Sequence, residues 1–402
     1  MGLLPFRGAD SRAPRAGDDK GKTTQMSRRK PFSGKYLLIL GLTAITFLVL
    51  ACAPDAKQST FGTSGPVAEQ QLLLFNVLLW VMVVVFILVE GILLYAVIKF
   101  RRRPGQDELP PQTHGHTALE ITWTVIPTVL ILALGIWSVF TLFELDQPPK
   151  GADALEVTAV GHQWWWEFEY PDSGVLDENG EPKRITTANE MRIPVDRAIR
   201  INLRSDDIIH SFWVPKLAGK VDVVPTRENY MWFQADETGT FYGQCAEFCG
   251  TAHAQMKFLV QVLPQEDYLA WAEGFGEEPT LSAQAQAGQT VFNGTGGCVI
   301  CHTANGSDSP EAVAGRVQAF MTGAPGIAPG PNLTDLATRE RFGAGLIDLN
   351  RQNLRQWLHN PEEIKPGNYM SDRASIYQTD DGTANLSEKE ISSLLEYLLS
   401  LK

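Results

Sequence analysis

The stretch CAEFCGTAHAQM, residues 245–256, brings four side chains that can bind metals close together in the chain. Two cysteines are separated by three residues, a histidine follows the second, and a methionine follows the histidine. These residues are Cys245, Cys249, His253 and Met256. Zinc sites rarely recruit a thioether, whereas copper sites combine thiolate, imidazole and thioether ligands. The stretch, hereafter the copper loop, therefore predicts a copper site.

A second histidine, His210, lies upstream of the copper loop. It follows a segment in which apolar and polar residues alternate, which is typical of a strand. The apolar positions are Ile199, Ile201 and Leu203, and the polar positions are Arg200, Asn202 and Arg204. We expect a sheet to hold His210 against the copper loop. The alternative is a buried cysteine pair beside a core histidine, and the presence of all donors in this order weighs against it.

The complete donor set resembles the binuclear copper A site of subunit II of the haem-copper cytochrome c oxidases. The resemblance implies two copper ions bridged by the thiolates of Cys245 and Cys249. The other ligands would be the imidazoles of His210 and His253, the thioether of Met256 and the backbone carbonyl of Glu247. The side chain of Glu247 would face a magnesium ion shared with the catalytic subunit.

Residues 1–51 have the features of an export leader. A basic RRK cluster precedes an apolar run, residues 36–51, which is too short to span a bilayer comfortably and ends before a cysteine. The motif VLAC resembles a bacterial lipoprotein signal, which would be cleaved before Cys52 and leave that residue lipidated. The alternative is an uncleaved third membrane segment with an unmodified Cys52.

The charge of the chain excludes one class of partner. The 402 residues suffice for two or three domains and carry a formal net charge of −12. The leader holds nine basic and three acidic residues, so its removal would change the net charge from −12 to −18. This acidity argues against nucleic-acid binding and is compatible with basic electron carriers.

Two apolar stretches, residues 72–98 and 121–143, are long enough to cross a hydrocarbon core of ~30 Å. Between them lies the basic motif KFRRR, which the positive-inside rule keeps in the cytoplasm. We therefore predict a transmembrane helix hairpin over residues 70–145, preceded by an exposed segment, residues 52–69. The membrane would be a bacterial plasma membrane, with the following domains on its outer face.

Glu120 stands at the start of the second apolar stretch, in ALEITWTVIP. In the resembled family, the matching glutamate lies at the cytoplasmic entrance of a proton channel that leads into the catalytic subunit. The resemblance implies this role for Glu120. The alternative is an acidic residue that stabilises a helix N-terminus through the helix dipole.

After the hairpin the pattern changes to short strands separated by turn sequences such as DENGEP. It predicts an antiparallel β-sandwich or barrel, and the resemblance makes residues 146–273 an all-β cupredoxin domain. The motif GHQWWWEFEY contains three consecutive tryptophans, which cannot all face one side of a strand. The family places an exposed aromatic at Trp164, above the copper site, where electrons enter from cytochrome c. Core packing is the alternative for any one of these rings.

A segment without apolar periodicity, residues 274–283, predicts a linker. Beyond it, CVICH is the attachment signature of c-type haem. Cys298 and Cys301 would form the thioether bonds and His302 would bind the iron. Residues 284–402 resemble an all-α class I cytochrome c domain with one covalent haem.

Two further motifs fit this cytochrome domain. In GPNLT, the resemblance implies that the carbonyl of Pro331 accepts a hydrogen bond from the proximal histidine. In KPGNYM, it implies Met370 as the sixth ligand of the iron. Met321 also follows the haem motif, but it precedes GPNLT, so we prefer Met370. A capping box and an apolar stripe predict a final helix within residues 387–402.

The combined resemblance implies the electron-entry subunit of a respiratory cytochrome c oxidase. Cytochrome c or another donor would supply electrons to haem c, which would pass them to copper A and then to catalytic subunit I. That subunit would reduce O2 to water and, together with other oxidase subunits, translocate protons. The ligands of an oxygen-reducing centre would belong to another chain. The alternatives are the electron-entry subunit of a copper A nitric oxide reductase and a membrane-tethered electron carrier without a stable complex.

We predict that the linker is needed for rapid electron transfer between the two metal domains. Residues 144–283 contain 24 acidic and 11 basic residues, and residues 284–402 contain 13 and 9, so net charge cannot attract one domain to the other. A tether would instead raise the effective concentration, into the millimolar range for a short linker. Cleavage within residues 274–283 should slow haem-to-copper transfer sharply in dilute solution, as measured by flash photoreduction. An unchanged rate would refute the tether argument.

Overall fold

A computed structural model describes residues 39–44, 56–103, 105, 111–112, 114–149, 151–304 and 330–402. In the predicted leader, residues 39–44 are helical and exposed. The remainder of the leader and the predicted lipidation site Cys52 lie outside the described residues, as does Met321. The rest of the described chain forms a helical hairpin, a β-sandwich and a helical domain.

The hairpin consists of α1 (Pro66–Lys99) and α2 (Thr117–Glu144). The most apolar 18-residue windows of these helices have mean hydropathies of 3.1 and 2.3, so each helix is long and apolar enough to cross a membrane. Helix α1 begins with a proline, which suits the first helical position because its missing N–H has no intrahelical partner there. It starts within the segment predicted to be exposed, so the N-terminal boundary of the hairpin lies earlier than residue 70.

The β-sandwich contains ten strands in two five-stranded sheets. The first sheet has the order β3-β2-β1-β5-β8 and the second the order β4-β10-β9-β6-β7. The strands are β1 (Leu155–His162), β2 (Trp165–Tyr170), β3 (Ile185–Ala188), β4 (Glu190–Pro194), β5 (Ile199–Ser205), β6 (His210–Trp213), β7 (Lys220–Val223), β8 (Asn229–Phe233), β9 (Gly239–Cys245) and β10 (Lys257–Leu263).

The sheets confirm the all-β class but not a purely antiparallel arrangement. Strand β1 pairs with β5 in parallel, and β10 pairs with β4 in parallel. Side-chain alternation indicates which face of a strand is buried but not the direction of its neighbour, so the sequence could not specify these pairs. The predicted inward face of β5 is confirmed, because Ile199, Ile201 and Leu203 are fully buried.

Aromatic side chains fill the space between the sheets. Trp166 is completely buried and packs edge-on against Phe212 and Phe258, with ring centroids 5.5 and 5.4 Å apart. Phe168 contacts the same two phenylalanines. Edge-to-face aromatic contacts are favourable in addition to the apolar area that they bury. They give β6 and the start of β10, which follows the copper loop, a rigid support.

A ten-residue helix, α3 (Gln265–Gly274), follows the sandwich, and residues 275–282 lead to the helical domain. This domain contains α4 (Ala283–Asn293), the short hairpin β11 (Arg341–Phe342) and β12 (Ile347–Asp348), α5 (Arg351–His359), α6 (Pro361–Ile364), α7 (Tyr369–Arg373) and α8 (Glu388–Leu398). The predicted capping box of the final helix is present. Its predicted apolar stripe is buried.

The first and last long helices of the helical domain cross at a glycine. A Cβ atom added to Gly288 of α4 would lie 1.9 Å from the carbonyl oxygen of Ser393 and 2.9 Å from Cβ of Tyr397. Both contacts are far shorter than van der Waals distances. The backbones of α4 and α8 can approach this closely only because residue 288 lacks a side chain.

We predict that Gly288→Val separates these helices, whereas Ala287→Val on the exposed side of α4 does not. The first change forces atoms into α8 and should cost about 3 kcal/mol or more in the free energy of unfolding. The control changes only helix propensity, by roughly 0.5 kcal/mol. Thermal unfolding and the amount of attached haem would measure both. Equal stability of the two variants would show that the crossing tolerates a side chain.

Candidate metal centres

The copper loop is held at both ends by backbone hydrogen bonds. Strand β9 ends at Cys245, whose N–H donates to the carbonyl of Met256 at 2.9 Å, and β10 begins immediately afterwards. The N–H of Ala246 donates to the carbonyl of Ser211 on β6, also at 2.9 Å. His210, the first residue of β6, is thereby held beside the loop. A Cβ on the neighbouring Gly161 would lie 2.7 Å from the His210 ring, so the glycine makes room for the imidazole.

The structure brings all six predicted copper donors together. The Sγ atoms of Cys245 and Cys249 are 3.8 Å apart, too far for a disulfide bond, which has a length of about 2.05 Å. Cys245 Sγ lies 3.2 Å from the Glu247 carbonyl and 3.9 Å from His210 Nδ1. Cys249 Sγ lies 3.4 Å from His253 Nδ1 and 3.8 Å from the Met256 sulfur.

These donors fit copper. Two thiols lie at the centre of the group, and the imidazole, thioether and carbonyl donors surround them. Within the described residues, His210, Cys245 and Cys249 form the cluster of histidine, cysteine or acidic residues close enough to share a metal ion. Softer metals favour thiolate and thioether ligands, as the sequence pattern indicated.

The two cysteines already favour a thiolate in the absence of metal. The hydrogen bond from Cys249 lowers the pKa of Cys245 to about 3, an effect that outweighs burial of the sulfur. The same hydrogen bond raises the pKa of Cys249, because its proton is held between the two sulfurs. Metal binding requires deprotonated sulfur. Cys245 is therefore already in the form that binds a metal, whereas Cys249 must release its proton first.

Asp207 orients the His210 ring. Its Oδ1 lies 2.7 Å from His210 Nε2, so the other ring nitrogen, Nδ1, faces the Cys245 sulfur. Carboxylates that bind the second nitrogen of a ligating histidine fix the ring and its tautomer. Asp207 also accepts the backbone N–H of Gln163 through Oδ2 at 2.6 Å. Asp206 and Asp207 both precede His210 closely in the chain, and Asp207 is the one that contacts its ring.

The haem attachment motif lines a cavity in the helical domain. Cys298, Cys301, His302 and Met370 all border it, with apolar walls from Phe292, Leu333, Leu354, Leu358, Ile376 and Leu398. The expected hydrogen bond between His302 Nδ1 and the Pro331 carbonyl is present at 2.8 Å. This bond leaves Nε2 as the ring nitrogen that would bind iron. The two thiols, the imidazole, the thioether and the apolar walls fit a covalently attached haem.

The haem cavity directly adjoins the sandwich. Trp164, in the turn between β1 and β2, and Trp165, the first residue of β2, also line it. Trp164 was expected to be exposed, but only 6% of its surface is accessible. Tyr369, the neighbour of Met370, covers it with ring centroids 5.0 Å apart. The expectation of an exposed ring was wrong because the helical domain itself occupies this face.

Other contacts join the two domains around this aromatic pair. Asn332 donates to the Thr186 carbonyl at 2.8 Å, and the backbone N–H of Arg341 donates to Glu190 at 2.7 Å. The buried ammonium of Lys365 donates to the Trp164 carbonyl. Neither Lys365 nor Tyr369 was predicted as a site residue, although both lie in the KPGNYM motif that suggested Met370. A lysine and a tyrosine are ordinary surface residues, so the motif gave no indication that they would be covered.

Glu120 lies in the first turn of α2. Its carboxylate accepts the backbone N–H of His116 at 3.1 Å, while His116 Nδ1 accepts that of Leu119 at 3.3 Å. Within this chain the glutamate therefore caps a helix. This local contact does not test a role in proton entry, which stays a prediction.

Three family models match the chain. They are described as the transmembrane domain of cytochrome c oxidase subunit II for residues 55–141, its periplasmic domain for residues 155–263, and cytochrome c for residues 285–402. Together they cover the hairpin, the sandwich and the helical domain.

Several known proteins are similar along most of the chain. Cytochrome c oxidase subunit 2 of Alkalihalophilus pseudofirmus is 36% identical over 372 residues, which cover 90% of this chain and 96% of the relative. The Bacillus subtilis protein of the same name is 34% identical over 91% of this chain and 98% of its own length. The crystal structure of the periplasmic domain of subunit II of cytochrome oxidase from Bradyrhizobium japonicum matches 32% of this chain and 95% of its own, with 36% identity and a TM-score of 0.28.

We predict that Asp207→Asn weakens copper binding, whereas Asp206→Asn does not. Loss of the carboxylate on His210 Nε2 should lower copper affinity by about 10- to 100-fold. Asp206 pairs with Arg204 at 3.3 Å and serves as the matched control. Copper per chain after equilibration with graded chelator concentrations would measure the effect. Equal copper retention by both variants would show that Asp207 does not support the ligand.

Proposed function

The chain belongs to the cytochrome c oxidase subunit II family, and from this premise we propose that it is the electron-entry subunit of a respiratory cytochrome c oxidase. Electrons would pass from its own haem c to binuclear copper A and then to a separate catalytic subunit. The presence of a cytochrome c domain in the same chain supports an electron-transfer role.

One observation carries this proposal: a continuous series of contacts joins the two sets of metal ligands. Met370 lines the haem cavity. The residue before it, Tyr369, packs its ring on Trp164. The indole N–H of Trp164 donates to the carbonyl of Cys249 at 2.8 Å, and the Cys249 sulfur lies among the copper donors. Two aromatic rings and one hydrogen bond therefore connect the haem cavity with the copper loop.

When bound, the haem and the copper pair supply the one-electron redox chemistry. The protein's own contribution is to hold their ligands still and exclude water between them. The ends of the copper loop are fixed by the backbone of two strands, and the His210 ring is fixed by Asp207. Rigid strands, and hydrogen bonds that hold the ligating side chains, reduce the movement of the ligands when the charge of the metal centre changes. The burial of Trp164 and Cys249 keeps solvent away from the connecting hydrogen bond.

The chain is a membrane-anchored subunit of a haem-copper oxidase complex. We place the complex in a bacterial plasma membrane, with the two metal domains on its outer face and the basic loop after α1 in the cytoplasm. In this arrangement Glu120 would stand at the entrance of a proton channel in the catalytic subunit. The Glu247 side chain would meet a magnesium ion at the interface with that subunit, and a lipidated Cys52 would add a second anchor.

The oxygen-reducing site would lie in the partner, so a copper A nitric oxide reductase remains the second candidate for the whole complex. Its electron-entry module would use the same two centres. A membrane-tethered carrier without a catalytic partner is the third. Co-purification with a polytopic haem protein separates the third candidate from the first two.

We predict that the purified membrane complex consumes oxygen in a cyanide-sensitive manner. Anaerobic reductive titration should show a c-type haem band, an a-type haem band and the paramagnetic signal of a mixed-valence copper pair. Visible and electron paramagnetic resonance spectra would measure these signals, followed by oxygen uptake. Copper and c-type signals with b-type haem, nitric oxide consumption and no oxygen uptake would replace the oxidase with the reductase.

A further inference from the structure

We propose that Lys365 and Tyr369, hereafter the docking pair, seat the cytochrome domain on Gln163 and Trp164 and thereby restrict the copper centre to electrons that arrive through the chain's own haem. A soluble one-electron carrier would then reduce the haem and not the copper pair directly. This inference rests on the proposed function, because it names the residues that determine the electron donor of the copper centre.

Lys365 is the more unusual member of the pair. Only 5% of its surface is exposed, and its ammonium donates to the backbone carbonyl of Trp164. Burial lowers the pKa of Lys365 to about 7, because the charged form loses its hydration. Burial of an unpaired ammonium costs free energy, and a lysine that remained exposed to solvent would avoid this cost. The burial of Lys365 therefore points to a specific role for its contact with the Trp164 carbonyl.

Lys365 is rigidly connected to the predicted haem ligand. The Asn368 side chain donates to the Lys365 carbonyl at 2.7 Å, and its oxygen accepts the N–H of Ser371 at 2.9 Å. Ser371 follows Met370 in helix α7. A hydrogen bond from Lys365 to Trp164 therefore sets the position of the Met370 turn relative to the indole ring. Lys365 is a positioning residue in this arrangement.

Tyr369 provides the second attachment. Its hydroxyl lies 2.7 Å from Gln163 Oε1, and Gln163 Nε2 donates to the Cys249 carbonyl at 2.8 Å. Trp164 donates to the same carbonyl. Both members of the docking pair thus act on neighbours of a single copper-ligating residue. A change at Tyr369 should consequently be detectable in the copper spectrum as well as in docking.

A glycine within this segment lets the two domains approach closely beside the copper loop. Gly367, between the two members of the docking pair, has φ of +79°, and a Cβ there would lie 2.8 Å from Cγ2 of Thr251 in the copper loop. Glycine is the residue that adopts this conformation without strain and leaves room for the loop. The docked segment leaves Trp164 6% exposed, so an external protein cannot pack on that ring.

The redox step is a one-electron transfer. A reduced soluble cytochrome c would be oxidised by one electron, and that electron would reduce first the haem that Cys298, Cys301 and His302 would hold and then, as this haem is reoxidised, the copper pair that Cys245 and Cys249 would hold. The docking pair neither forms nor breaks a covalent bond. It determines whether the copper pair receives this electron from the attached haem or from the external carrier.

The test compares Lys365→Ala and Tyr369→Phe with Lys389→Ala, an exposed lysine on α8, in the full oxidase complex. Hydroxyl-radical oxidation of Trp164, read by mass spectrometry, measures docking independently of turnover. Loss of a hydrogen bond to a charged group should raise the undocked fraction by about 10- to 100-fold. We expect more Trp164 oxidation in Lys365→Ala, a smaller increase with an altered copper spectrum in Tyr369→Phe, and the wild-type level in Lys389→Ala.

Stopped-flow reduction by a soluble basic cytochrome c provides the second measurement. In the wild type, haem reduction should precede copper reduction. In Lys365→Ala, haem-to-copper transfer should slow, and a copper phase proportional to carrier concentration should appear. Wild-type levels of Trp164 oxidation and unchanged copper kinetics in both docking variants would overturn the proposal. Absence of haem-to-copper transfer in the wild type would instead overturn the proposed function.

Discussion

The backbone carbonyl of Cys249 connects the copper loop to the rest of the protein. It accepts the Gln163 side-chain amide and the Trp164 indole, each at 2.8 Å. A carbonyl oxygen has two lone pairs, so these two donors satisfy it completely. Because Gln163 and Trp164 also contact Tyr369, the peptide that positions a copper ligand is coupled to the surface that receives the cytochrome domain. Disturbance of this peptide group would affect both.

The interface between the two metal domains is specified by short-range contacts and not by opposite net charges. Both domains are acidic, yet side chains and backbone groups meet in matched donor and acceptor pairs. Arg192 donates to the carbonyl and hydroxyl of Thr338, and Glu190 accepts from the backbone of Arg341. Burial raises the pKa of Glu190 to about 7, so near neutral pH a substantial fraction of this carboxyl is uncharged. Local hydrogen bonding can therefore outweigh the repulsion between two acidic surfaces, which weakens over a Debye length.

Trp164 shows where reasoning from sequence was insufficient. The alternation rule correctly indicated that three consecutive tryptophans cannot share one core, and Trp166 is the one that packs between the sheets. Trp165 stacks on His162 and contacts Ala344 of the cytochrome domain, and Trp164 lies beneath Tyr369. The rings outside the sandwich core are thus covered by another domain. The tertiary docking of two separate sequence segments decided this, and periodicity within one segment contains no information about it.

Local sequence patterns specify the metal-binding chemistry and the type of most elements: the donor types and their order in the copper loop, the haem attachment motif, the two long apolar helices and the alternation of the sandwich strands. These features are local, because ligand spacing and side-chain periodicity are properties of short segments. The parallel strand pairs and the burial of Lys365 against Trp164 depend instead on the tertiary structure. Those features depend on residues up to 201 positions apart, whose proximity arises from packing and not from any pattern along the chain.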